Sequence, residues 1–193
     1  MQFSEAPLMP DQRDSYLERI REWMLGDEIR METLQIASSL ELKDWCLAAG
    51  FVRTLIWDKL HGYDQLTTLG DIDLIYFDQT RCSEEIDQQT EDHLKQISNY
   101  PWSVKNQARM HLRNGDRPYS SSVDAMTYWV ELQAAIGAKL SDSGEIIILA
   151  PFGLNIFFDN SIRLNQKRPK PTAFRNRIQE KQWLEKWPKL RVL

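Results

Sequence analysis

The chain has little that could staple a fold covalently or through metal. It carries two cysteines, Cys46 and Cys82, and three histidines in 193 residues. Two cysteines build neither a disulfide framework nor a Cys-rich zinc site, and the histidines show no ligand spacing. No disulfide is expected, and a reduced, cytoplasmic compartment is the expected setting. Long apolar runs are also missing. The apolar run from Ile146 to Pro151 falls far short of the roughly 20 residues of a membrane-spanning helix. No basic, apolar, small-residue leader opens the chain, so neither secretion nor a membrane partner is expected. No internal repeat or low-complexity stretch is visible.

What is present is ordinary globular composition. Hydrophobic residues make up 42% and charged residues 27%, which excludes wholesale disorder. The length fits one compact domain with accessory helices, or at most two small ones. The net charge of −4 hides an asymmetry. Residues 161–193 hold ten Lys or Arg against two Glu, a net of +8, while the other 160 residues hold 14 against 26, a net of −12. A basic tail on an acidic body suits a phosphate-bearing partner. Packing of the tail across its own acidic body explains the asymmetry equally well.

Apolar spacing divides the chain into alternating elements. Helices are predicted over 11–25 and 27–40, joined at Gly26-Asp27 as an antiparallel pair. A short strand, 45–49, ends at Gly50 and runs into a helix over 51–60, stopped by Gly62. A strand follows over 71–77. Ser83 caps a helix to about 98, with Glu84 and Glu85 in its first turn. A strand is predicted over 102–110, a long helix over 123–140, a buried strand over 145–150 and a last helix over 174–187. This order predicts an α/β or α+β fold: a small mixed sheet flanked by helices. It also divides the chain into an N-terminal helical extension (1–40), a core (41–160) and a basic C-terminal segment packed on that core (161–193).

The chemistry concentrates in two segments. The first, Ala48-Ala49-Gly50-Phe51-Val52-Arg53, is a strand, a glycine and a helix start. Glycine lets a bound group approach the backbone, and the free N–H groups of a first helical turn attract an anion. Arg53 adds a positive charge there. The second segment, Asp71-Ile72-Asp73-Leu74-Ile75, places two carboxylates two residues apart on a strand, hence on one face. Carboxylates beside an anion-binding helix end suit Mg²⁺ with a polyphosphate. Asp-x-Asp alone is common, and an acidic strand edge is the plainer explanation. Further on, Lys105, Arg109 and His111 alternate on the predicted strand 102–110; they line a substrate groove or form a solvated face. Trp183 and Trp187, four apart, read as a packing stripe, and Cys46 as a buried small hydrophobe.

These segments resemble the signature of the polymerase-beta-like nucleotidyltransferase superfamily, and most of all bacterial CCA-adding enzymes and poly(A) polymerases. Their Gly-Gly-x-Val-Arg followed by Asp-x-Asp is matched by Ala49-Gly50-Phe51-Val52-Arg53 and Asp71-Ile72-Asp73. Val104 to His111, Tyr119, Asp124-Ala125-Met126 and Ala150 to Leu154 resemble a poorly characterised bacterial nucleotidyltransferase-like family, so the likeness covers about residues 30–190. The resemblance implies Mg²⁺- or Mn²⁺-dependent transfer of a nucleoside monophosphate from an NTP to an acceptor, which is a small molecule, a protein or RNA. Asp71 and Asp73 would hold the metal; Gly50, Phe51 and Arg53 would bind phosphate. The departures are Ala49 for the first glycine, Phe51 where many members have Ser or Gly, and no acid on the strand expected to supply the third carboxylate. Asn106 is expected at that position, with Asp124 as the alternative acid; Lys105, Arg109, His111 and Asp124 are candidates for the substrate groove. A missing third carboxylate also fits a weak or inactive nucleotide-binding module, one that associates with RNA through the basic tail. The chain is too short for the extra helical domains with which CCA-adding enzymes grip tRNA.

Overall fold

A computed structural model describes residues 10–193. The prolines at positions 7 and 10 predict a loose leader over residues 1–10, which apart from Pro10 lies outside them. The chain opens with two helices, α1 (Pro10–Leu25) and α2 (Glu28–Ser38). Asp27 caps α2 by accepting a hydrogen bond from Arg30 N at 3.1 Å. Strand β1 (Cys46–Ala48) then leads into α3 (Gly50–His61), followed by β2 (Ile72–Tyr76), α4 (Glu84–Ile97), β3 (Trp102–Asn106) and α5 (Gln107–Asn114). The second half contains α6 (Ser122–Met126), a 3₁₀ turn over Leu132–Ala134, β4 (Gly137–Leu140), β5 (Ile146–Leu149) and α7 (Asn155–Phe158). It ends with β6 (Ser161–Ile162), α8 (Pro171–Glu180), α9 (Trp183–Lys186) and β7 (Arg191–Val192).

Five strands form one mixed sheet in the order β3-β2-β1-β4-β5. Strand β1 runs antiparallel to both neighbours, whereas β2 and β3 are parallel. The short β1 is apolar and buried throughout, as a central strand covered on both faces must be. Along β2 the pleat sends Ile72, Leu74 and Tyr76 to one face, into the main core with Leu47, Val104 and Ile136. Asp73 and Ile75 take the other face. There Ile75 meets Cys46, Ala48 and Ala135, and Asp73 lies opposite Ala48 in register. The mixed α/β architecture agrees with the expectation.

Arg30 ties the helical pair to the sheet. It is 2% exposed; its Nε donates to the Phe51 carbonyl at 2.7 Å and its Nη2 to Thr54 Oγ1 at 3.0 Å, while Nη1 pairs with Asp27. A second core joins the C-terminal segment to α3: Trp57, Phe174, Ile178, Trp183 and Trp187 are all buried together.

Three expectations fail, each for a local reason. The strand predicted to reach Met110 stops at Asn106. The Asn106 side chain accepts from Ala108 N at 3.0 Å and caps α5, and the following Gln-Ala-Arg-Met run favours helix. The long helix predicted over 123–140 is only the five-residue α6. Beyond it, Asn165 Nδ2 donates to the Thr127 and Trp129 carbonyls, both at 2.8 Å, which takes acceptors a continuing helix would need. The β-branched and aromatic run there also disfavours helix, and its end joins the sheet as β4. The last helix is broken at Gln182, whose φ of +54° is left-handed, and the small β6-β7 sheet has no counterpart in the sequence reading.

Gly137 shows how closely β4 and β1 pack. A Cβ built there would lie 2.7 Å from Cys46 Sγ and 3.2 Å from Cys46 Cβ. Gly137→Ala should therefore destabilise the fold by about 1–3 kcal/mol through overpacking. Thermal unfolding checks this, and adding Cys46→Ala should recover part of the loss.

Candidate active site

The site forms where β1 turns into α3. Ala49 N donates to the Ile136 carbonyl at 2.8 Å, and the Ala49 carbonyl accepts from Arg53 N at 3.0 Å. Between these bonds Ala49 is forced to φ +53°, ψ −115°. A side chain is strained there, and the resemblance has glycine at this position. Ala49→Gly should stabilise the fold by on the order of 1 kcal/mol, because the strain it relieves outweighs glycine's extra unfolded freedom. A lower melting temperature would show the turn to be relaxed. Gly50 is different: an added Cβ would meet only Arg53 Nη2 and Thr54 Cγ2, both at an ordinary 3.9 Å. Packing within the chain does not demand glycine at 50.

Arg53 rises from the first turn of α3 into an aromatic slot. Its guanidinium carbon lies 5.0 Å from the Trp57 ring centre and 4.7 Å from that of Trp183. The residue is 6% exposed, and neither Nε nor Nη1 has a hydrogen-bond partner among the described residues. Burial pulls its pKa down to about 10, against the attraction of Glu131, Asp73 and Asp71. A buried guanidinium with unmet donors is costly unless something accepts from it.

The two aspartates stand across the same cleft. Asp71 is 55% exposed and faces Lys181 at 3.8 Å. Asp73 is half-buried, and burial, then the neighbouring Asp71, pushes its carboxyl above the usual range. The cleft holds about 360 Å³ and is walled by Gly50, Arg53, the aspartates and Lys181. The loop over 67–70 forms another wall, held by Asp58: its carboxylate accepts from Thr67 N at 2.7 Å, Thr67 Oγ1 at 2.8 Å and Trp187 Nε1 at 2.7 Å. Asp58 is fully buried in α3 and carried no sequence signal beyond its charge on an apolar helix.

A second cleft of about 400 Å³ continues past Asp73 and shares Ala49, Asp73 and Arg177 with the first. It contains Glu131, which sequence reasoning missed because it fell inside a predicted helix. Glu131 is 1% exposed; Oε1 accepts from Arg177 Nε at 2.6 Å, and Oε2 has no partner among the described residues. Its one signal was a lone acid in an apolar stretch, Trp129-Val130-Glu131-Leu132.

The remaining candidates are scattered. Asn106 pairs in register with Tyr76, on the face opposite Asp73. It is fully buried, and its Nδ2 donates to the Asp78 and Arg81 carbonyls at 2.7 and 2.8 Å. It is a cap and loop brace, not a stand-in for the third carboxylate. Arg109 pairs with Asp87 in the same buried network, where Asp87 also accepts from Tyr76 Oη at 2.7 Å. His111 packs on the Tyr119 ring at 6.1 Å. The three positions do not alternate on a strand because α5 begins at Gln107; only Lys105 lines the second cleft. Asp124 braces a surface turn, accepting from Arg117 Nη2 at 2.9 Å and Ser120 N at 2.9 Å, and lines neither cleft. The Phe51 ring is buried in the main core. Both cysteines are free, and among the described residues no helix is long and apolar enough to cross a membrane.

Two solved structures resemble the chain to different degrees. One protein, whose NMR structure is described as revealing a CCA-adding enzyme head domain, is 31% identical over 91% of this chain and 95% of its own, with a TM-score of 0.78. A second, a tRNA-processing enzyme, is 17% identical over 84% of this chain and 39% of its own, with a TM-score of 0.42. No curated protein matches the chain. The family model for nucleotidyltransferases matches residues 35–192, from α2 through β7 and so across both clefts, and the chain belongs to that nucleotidyltransferase family.

Proposed function

We propose that the chain transfers a nucleoside monophosphate from an NTP to an acceptor hydroxyl, with Mg²⁺ or Mn²⁺ held by Asp71 and Asp73. The observation that carries this reading is Arg53: a buried guanidinium with two unmet donors, beside a helix N-terminus and across the cleft from paired carboxylates. In the first cleft, Arg53 and the first-turn amides of α3 take the β- and γ-phosphates, and Lys181 turns from Asp71 to the same oxygens. The aspartates fit a divalent cation, since Asp73 is unfavourably charged where it stands and a cation relieves this. Among the described residues no three His, Cys, Asp or Glu side chains come together as a metal cluster. Asp71 and Asp73 would hold such a cation, and it would supply charge neutralisation at the α-phosphate and the leaving pyrophosphate.

The acceptor oxygen bonds to the α-phosphorus, the bridge to the β-phosphate breaks, and pyrophosphate leaves with the bonding pair. The hydroxyl proton passes to Glu131, whose Oε2 has no hydrogen-bond partner among the described residues, since β3 offers no acid. One observation favours a second reading, a nucleotide-binding module with little turnover: Glu131 is paired with Arg177 and not gathered with the aspartates.

Thermal unfolding tests the nucleotide. At 100 times its Kd, a ligand bound only by the native state adds about 2.7 kcal/mol. For a chain of this length that raises the melting temperature by roughly 5–10 °C. One of the four Mg-NTPs should give that shift and Arg53→Ala should remove most of it. No shift with any of the four overturns the reading. Pyrophosphate release then separates the enzyme from the binding module.

A further inference from the structure

We infer that the second cleft takes the acceptor, and that this acceptor carries a phosphate group near its reactive hydroxyl; the inference rests on the nucleotidyl-transfer reading of the first cleft. The clefts meet at Asp73, so a group in the second reaches the aspartates from the side opposite the triphosphate site.

The lining of the second cleft carries more basic than acidic side chains. Lys105, Arg113, Arg168 and Lys170 line it, against the acids Asp73 and Glu131. Glu131 is already matched by Arg177, and Arg168 by Asp116. Lys105, Arg113 and Lys170 form no ion pair among the described residues, and Lys105 and Lys170 are half-buried. Residues 1–160 carry a net charge of −12, so carboxylates are plentiful nearby. Lys105 feels Glu91 only at longer range, so cations without a close ion-pair partner gather in this cleft and are positioned for an anion that arrives from outside. Lys105 stands opposite Ile75 on β3, one pleat along from Asp73 and on its face of the sheet. Phosphate held there leaves a hydroxyl of the same molecule within reach of the α-phosphate.

Of the two aromatic residues lining the cleft, Trp129 is half-buried against the Cys46, Ala48 and Ile75 cluster and Tyr128 is covered by cations, which favours phosphate recognition over base stacking. Tyr128 lines the cleft, but Lys167 Nζ sits 4.0 Å from its ring centre and the Arg117 guanidinium 5.3 Å from it. Those cations occupy the ring where a base would stack. A cavity of about 400 Å³ also matches a small ligand.

Isothermal titration with ribose 5-phosphate and a 5′-phosphorylated ribotrinucleotide, each beside its dephosphorylated form, tests this. Each is titrated with and without a non-hydrolysable Mg-NTP. A phosphorylated probe should bind at least tenfold more tightly than its dephosphorylated form. The double variant Lys105→Ala, Lys170→Ala should lose at least tenfold for that probe, against no more than twofold for the NTP analogue. Ribose 5-phosphate binding as well as the trinucleotide identifies a small phosphorylated acceptor; a tenfold preference for the trinucleotide identifies a nucleic-acid end. Equal binding of both forms, no probe binding, or a double variant that loses only the NTP analogue overturns the inference. Failure of the NTP analogue to bind the wild type, with probe binding intact, strikes the nucleotidyl-transfer reading instead.

Discussion

Asp73→Asn is expected to abolish the stabilisation by Mg-NTP and to cut pyrophosphate release by three orders of magnitude or more, while the free protein becomes more stable. On the proposed reading, the loss follows from removing one of the two carboxylates that would hold the cation. The gain follows from linkage. Burial, and then Asp71, raise the Asp73 carboxyl above its ordinary range in the folded chain. A carboxyl that binds its proton more tightly when folded costs stability wherever it is ionised. The cost is present above the folded pKa and gone below the unfolded one. At neutral pH the asparagine variant should therefore melt higher than wild type, and the gap should close as pH falls through the carboxylate range. Asp71→Asn should lose the nucleotide shift as well, with little change in the free protein, since Asp71 is 55% exposed. Melting curves between pH 4 and 8, with and without Mg-NTP, check every part. Two variants that retain the wild-type nucleotide shift would place the site elsewhere.

Glu131→Gln and Asn106→Asp should behave in opposite ways. Losing a general base typically costs ~10²- to 10⁴-fold in rate, so Glu131→Gln should lower pyrophosphate release by that factor and leave NTP binding in place. Asn106→Asp should do nothing for catalysis and should damage the fold. The change removes the donors to the Asp78 and Arg81 carbonyls and sets a carboxylate oxygen against both. With that group fully buried, the cost is roughly 3–5 kcal/mol. A well-folded Asn106→Asp with raised turnover would return Asn106 to the site, and full activity in Glu131→Gln would remove Glu131 from it.

Much of the fold was legible because its signals are local. The run Asp71-Ile72-Asp73-Leu74 alternates acidic and apolar residues, so the pleat alone put Asp71 and Asp73 on one face. Gly50 before an apolar helical stretch marked the start of α3, and Gly62, with φ of +74°, marked its end. Ser83 and the acids after it marked α4. Each of these features depends on residues within a few positions of one another.

What the tertiary structure decided depends on distant partners. The segment after α6 has apolar spacing that suits a helix, yet Asn165 takes its carbonyls and β1 takes its end as a sheet neighbour. That choice moved Glu131 from a helix face to the cleft. Asn106 was read as a strand residue, and only the positions of Asp78 and Arg81 show that its amide is spent on holding a loop. The basic tail left two explanations open by charge alone. Trp183 packing against Trp57 settles its path, so that Arg177 and Lys181 reach the carboxylates while Lys170 stays unpaired in the second cleft. The sequence by itself determined the run from β1 through α4 and that two carboxylates share a strand face near the glycine turn into α3, because backbone geometry and side-chain period act locally. Only the tertiary structure decided that Glu131, Arg177 and Lys181 line the clefts on either side of Asp73, because those groups lie about 60 to 110 positions from the aspartates and meet through packing of the sheet and the tryptophan core.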